Sequence, residues 1–166
     1  KDPYPAALED AGSAYNWLLD QGYMADNIII AGDSAGGGLT LATAFYLRDH
    51  DMPLPAALIT MSAWTNLNYK RYKPDYVGEN DPKDPYISPI YGDYHDLPPL
   101  LMQAGGDETI LNDTLKAAHI AEGDGVSVQQ TTYKGMFHVF QMLFPELKEA
   151  NEAWAEAEDF IKGIFE

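Results

Sequence analysis

Residues Gly32-Asp33-Ser34-Ala35-Gly36 stand between an apolar run, Ile28-Ile29-Ile30, and a stretch with helical spacing. A strand that turns into a helix over so few residues allows few folds. It implies a parallel sheet whose strands are joined by helices, with Ser34 exposed at the carboxyl end of its strand. The expected role of Gly32 and Gly36 is to relieve crowding around the sharp turn. The Ala35 N–H opens the helix, where the helix dipole favours a developing negative charge. A serine hydroxyl is a poor nucleophile until a base takes its proton. The motif therefore asks for two partners elsewhere in the chain: a histidine to act as base and an acid to orient it.

The rest of the chain supplies alternating elements. Pro5 to Leu19 reads as a helix, with Leu8, Ala11, Tyr15 and Leu18 at helical spacing and Gly22 ending it. Asn27 to Ala31 reads as a short buried strand, and Ala35 to Arg48 as a helix. Ala56 to Met61 and Leu100 to Ala104 are further buried strands, and Val126 to Tyr133 a fourth, less regular one. Leu111 to Glu122 is a helix closed by Gly123. The last helix begins near Pro145, with a stripe of Leu147, Ala150, Trp154, Ala157, Ile161 and Ile164. Residues 64–99 are rich in Tyr, Pro, Asp and Asn and hold no period. They read as an irregular excursion near the active site whose aromatics need burial, not as a linker. The predicted architecture is α/β, with about four parallel strands and helices on both faces.

Composition narrows the function. With 26 acidic and 10 basic residues the chain carries a net charge of −16, which repels nucleic acid and anionic lipid. It contains no cysteine, so disulfides, zinc–thiolate sites and a cysteine nucleophile are excluded. That absence fits a reducing compartment, and the expected location is cytoplasmic. No run approaches the 18 apolar residues of a membrane span.

Four histidines are available. His50 lies in a polar helix exit, His95 in the excursion and His119 within a helix, and each reads as a surface or partly packed residue. His138 follows the last strand in Gly135-Met136-Phe137-His138-Val139-Phe140, where a base can reach back to Ser34. Candidate acids follow the third strand, in Gly105-Gly106-Asp107-Glu108. Asp107 and Glu108 compete for the role, and Asp113 is a weaker third. The loser of the pair is expected to cap the following helix or bind nearby amides.

With these motifs in place, the chain resembles the hormone-sensitive-lipase-like branch of the α/β-hydrolases, the bacterial family IV esterases. The serine motif of that branch is Gly-Asp-Ser-Ala-Gly-Gly, matched by Gly32 to Gly37. Pro3-Tyr4-Pro5-Ala6-Ala7-Leu8-Glu9-Asp10, Ser62-Ala63-Trp64-Thr65-Asn66, Asp84-Pro85-Tyr86-Ile87-Ser88-Pro89, Leu97-Pro98-Pro99-Leu100 and Gly135-Met136-Phe137-His138 also match. The family's acid usually opens an Asp-Pro-Leu-x-Asp box. Here Glu108-Thr109-Ile110-Leu111-Asn112-Asp113 occupies that stretch, and Glu108 lies 30 residues before His138, a separation similar to the family's. The resemblance favours Glu108 over Asp107.

What the resemblance implies is a serine carboxylic-ester hydrolase acting on short- to medium-chain acyl esters, with Ser34 as nucleophile, His138 as base and Ala35 as oxyanion donor. No cofactor or metal is expected. The family's His-Gly-Gly-Gly segment, which supplies further oxyanion donors, does not occur in these 166 residues. The expectation is therefore a single, incomplete catalytic domain over residues 1–166, weakly active alone. Its serine strand would expose a sheet edge, to be covered by a complementing N-terminal segment or a second copy. The alternative is a non-catalytic binding or interaction module completed by another chain.

Overall fold

The computed structural model describes residues 2–166. Four strands, β1 (Ile29–Asp33), β2 (Ala57–Met61), β3 (Leu100–Gly105) and β4 (Val128–Tyr133), form one sheet in the order β1-β2-β3-β4. Every neighbouring pair is parallel. Five helices accompany them: α1 (Ala6–Asp20), α2 (Ala35–Asp49), α3 (Leu111–Gly123), the single turn α4 (Phe140–Leu143) and α5 (Lys148–Phe165).

Alternation along the central strands sorts the helices by face. Leu58, Leu100 and Met102 point to one side, against Leu41, Ala44 and Phe45 of α2 and Ala117, Ala118 and Ala121 of α3. Ile59, Met61 and Leu101 point to the other, against Ala157 of α5. Tyr15 of α1 joins Ile28 and Leu47, so α1 packs on the outside of α2. The predicted sheet with helices on both faces is what forms.

Several expectations about burial need correction. β1 is half-exposed, not buried, because it is the sheet's edge, and Ala31 faces solvent. The apolar stripe of α5 is turned. Ala150, Ala153 and Ala157 are buried, whereas Trp154 is 44% and Ile161 37% exposed. Small residues let the helix approach the sheet. The large ones border an open groove beside β1, lined also by Ala31, Ile59 and Met61.

Between β2 and β3 the chain makes two short 3-10 turns, Asp75–Val77 and Pro89–Tyr91. Leu67, Val77 and Ile87 pack with Tyr4, Trp64 and Tyr76 into a separate small core. Tyr94, fully buried, stands edge-on to Phe45 at 5.0 Å and donates to the Pro89 carbonyl. Under α5, Glu156 accepts hydrogen bonds from Gln103, Gln129, Thr131 and Tyr133. Burial pushes its carboxyl pKa up, but these donors outweigh burial and hold it below the ordinary glutamate value. No helix among the described residues is long and apolar enough to cross a membrane.

Candidate active site

Ser34 occupies the single position between β1 and α2, at φ 49° and ψ −116°. Few non-glycine residues tolerate a positive φ, so surrounding contacts must enforce it. Its N–H donates to the Met61 carbonyl at 2.9 Å, and its carbonyl accepts from the Trp64 N–H at 2.8 Å. Steric limits complete the turn. A methyl at Gly32 would overlap the backbone of Gly36, and one at Gly38 would overlap the Trp64 carbonyl. Gly36 itself meets nothing within 4 Å of an added Cβ. The expected crowding at Gly36 is thus corrected: Gly32 and Gly38 are the tight positions, because α2 starts against the strand and the loop after β2.

His138 reaches this point from the far end of the sheet. Gly135 and Val139, both at positive φ, bend the chain after β4. Gly105 leaves room for that bend, since a Cβ there would overlap the Met136 and Phe137 carbonyls. The His138 Nε2 lies 2.8 Å from the Ser34 Oγ. Its Nδ1 lies 3.6 Å from the Glu108 Oε2.

Of the two competing acids, Glu108 is buried and faces the imidazole, while Asp107 is exposed. The cap expected of the loser does not form: Ile110 is the N-cap of α3, with no side-chain hydrogen bond. Asp113 lies one turn into α3, and burial raises its pKa to about 6, against the opposing pull of Lys116 and the Asn66 N–H. Of the other histidines, His50 binds the Tyr46 carbonyl at 2.8 Å and His95 binds Asp93 at 2.6 Å. His119 is exposed on α3.

The Ala35 N–H sits in the first turn of α2, where helix amides lack internal acceptors. Beside it lies an apolar cavity of about 260 Å³, walled by Ala35, Leu39, Trp64, Leu67, Tyr76 and Tyr86 among others. Tyr69 and Tyr72 lie apart from it, in an open recess with Lys70 and Arg71. Asp93, His95 and Asp124 bring potential ligand atoms within 4.8 Å of one another. Asp93 and Asp124 already accept the His95 and Tyr94 N–H groups, and the cluster stands apart from Ser34.

One polar residue at the site, Ser62, has no role that its sequence motif reveals. Ser62, just past β2, is fully buried and contacts both Glu108 and the histidine loop. The available signal was a small polar residue ending a strand beside the serine strand, too common to single out.

This arrangement defines a parallel sheet whose serine turn, between a strand and a helix, faces a histidine. The family described as alpha/beta hydrolase fold matches residues 1–142. LipR of Mycobacterium tuberculosis is 37% identical over 96% of this chain, which spans 58% of it. An acetyl-hydrolase of Streptomyces hygroscopicus is 35% identical over 98% of the chain, which spans 61% of it. The crystal structure of a hormone-sensitive lipase from a metagenome library superposes with a TM-score of 0.92 at 36% identity. It covers 99% of this chain, which covers 62% of it. The chain belongs to the α/β-hydrolase-fold family, in its hormone-sensitive-lipase-like branch. It spans about three-fifths of the length of the curated relatives it matches.

Proposed function

We propose that this chain carries the nucleophile, base and acid of a serine carboxylic-ester hydrolase. The observation that carries this reading is the 2.8 Å approach of His138 Nε2 to Ser34 Oγ across 104 residues of sequence. In the tautomer with Nδ1 protonated, Nε2 accepts the Ser34 hydroxyl proton as Oγ attacks the ester carbonyl. The imidazolium that forms is oriented and stabilised by Glu108, whose buried carboxylate faces Nδ1. The Ala35 N–H donates to the tetrahedral oxyanion. His138 then returns the proton to the leaving alcohol, and water repeats the sequence on the acyl-enzyme.

The apolar cavity beside Ala35 supports short- to medium-chain acyl esters as substrates. Its few polar walls suit an acyl chain better than a charged group. Further oxyanion donors of this family lie in a His-Gly-Gly-Gly segment outside these 166 residues. Loss of one such donor costs about 10²–10³ in kcat, so residues 1–166 alone are expected to turn over slowly.

One experiment tests both statements. Turnover of p-nitrophenyl esters and labelling by a fluorophosphonate are measured on residues 1–166 and on the protein extended upstream of Lys1. Each form is compared with its Ser34→Ala variant. The extended protein should be faster, and Ser34→Ala should abolish labelling in both. Labelling that survives in the variant identifies a different nucleophile.

A further inference from the structure

Ser62 is the fulcrum of the acid–histidine half of the site. Its N–H donates to the Gln103 carbonyl at 2.7 Å, which fixes its backbone on β3 at φ 51°. Its hydroxyl donates to Glu108 Oε2 at 2.6 Å and accepts from the Val139 N–H at 3.0 Å. A hydroxyl has one proton, so this pairing leaves it a single orientation. Through one oxygen, the carboxylate and the residue next to His138 are tied together.

The distances rank the contacts on that carboxylate. Oε2 receives Ser62 Oγ–H at 2.6 Å and the Gly105 N–H at 3.2 Å, whereas His138 Nδ1 stands at 3.6 Å. Nδ1 and Glu108 Oε1 are buried without hydrogen-bond partners. The carboxylate is thus aimed by Ser62 and Gly105, not by the imidazole. The imidazole is brought up to it by a loop that Ser62 also holds. A glutamate has one more rotatable bond than an aspartate, which increases its need for such a tether.

We propose that Ser62 is a positioning residue that sets Glu108 and the His138 loop in register for proton transfer from Ser34. This rests on the serine-hydrolase reading above. Loss of the tie should misplace the pair by a fraction of an ångström, lowering kcat about 10- to 100-fold with KM little changed.

The test uses Ser62→Ala and Ser62→Gly in the full-length protein. Glycine favours a positive φ and alanine does not, so the two differ in stability while both lack the hydroxyl. Positioning requires that both lose kcat to a similar extent while KM stays little changed. If activity instead follows melting temperature, with glycine active and alanine impaired, Ser62 is only structural and the proposal is overturned. His138→Ala is measured alongside. Full activity in that variant would overturn the hydrolase reading itself; its inactivity beside a fully active Ser62→Gly would overturn the Ser62 role alone.

Discussion

The two halves of the candidate site are held by different forces. On the serine side, Gly32 and Gly38 sit where no Cβ fits, and Ser34 is pinned by backbone hydrogen bonds to Met61 and Trp64. On the acid–histidine side the constraints are polar and distant. Ser62 reaches Glu108 across 46 residues and Val139 across 77. The first half is set by backbone packing and hydrogen bonds against the end of β2 and the loop after it, so it tolerates changes of charge and rejects volume. The second is electrostatic and assembled from three strand ends, so it tolerates small volume changes and rejects the loss of a hydrogen bond.

The sharpest way to break this contrast is at the carboxylate. Glu108→Gln keeps the volume and removes the charge that faces Nδ1. By analogy with triads whose acid is made an amide, it should lower kcat by about 10²–10⁴-fold with the fold intact. Asp107→Asn, one residue away and exposed, should leave ester turnover within about twofold. Steady-state kinetics of the two variants decide the matter, and equal losses would mean that the wrong carboxylate has been assigned.

Volume tests the other half. Gly32→Ala places a methyl against backbone that cannot swing away. It should destabilise the protein by about 3 kcal/mol, the upper part of the range for overpacking. Gly36→Ala, in the same motif, meets open space at a helical position. It should cost nothing and add a few tenths of a kcal/mol from helix propensity, up to about 1 kcal/mol. Urea denaturation of both variants is the measurement. Similar losses at the two glycines would show that the motif is sensitive throughout, not only where atoms touch.

The same division explains what the sequence made legible. Ser34, its strand and its helix are written in consecutive residues, and three of the four strands announce themselves as apolar runs between breakers. His138 could be found because only one histidine follows the last strand. Ser62 could not, because its partners lie on other strand ends and become neighbours only once the sheet forms. The turning of α5 was hidden for a related reason. Trp154 and Ile161 are large apolar residues of its stripe, yet Ala150, Ala153 and Ala157 face the core because close approach favours small side chains. Gly36 looked like Gly32 in the motif, and only coordinates separate a crowded glycine from a free one.

A smaller effect sharpens the electrostatic half. Asp113 is half-buried on α3, and burial lifts its pKa to about 6, with Glu108 adding a weaker push in the same direction. Its native pKa lies above its unfolded value near 3.8, so the native state binds more protons between those two pH values. Stability contributed by this group is therefore lost as pH rises from about 4 to about 6, and the penalty is complete above that range. Asp113→Asn removes it. The variant should be more stable than the parent at pH 8 by about 1 kcal/mol, after allowance for solvent screening at a half-exposed group. For a chain of this size that is about 2–4 °C in melting temperature. The gain should shrink as pH falls and be absent at pH 4. A variant that is less stable at pH 8, or equally stabilised at both pH values, would show that Asp113 is held by a favourable contact and that the polar half of the site carries no such strain.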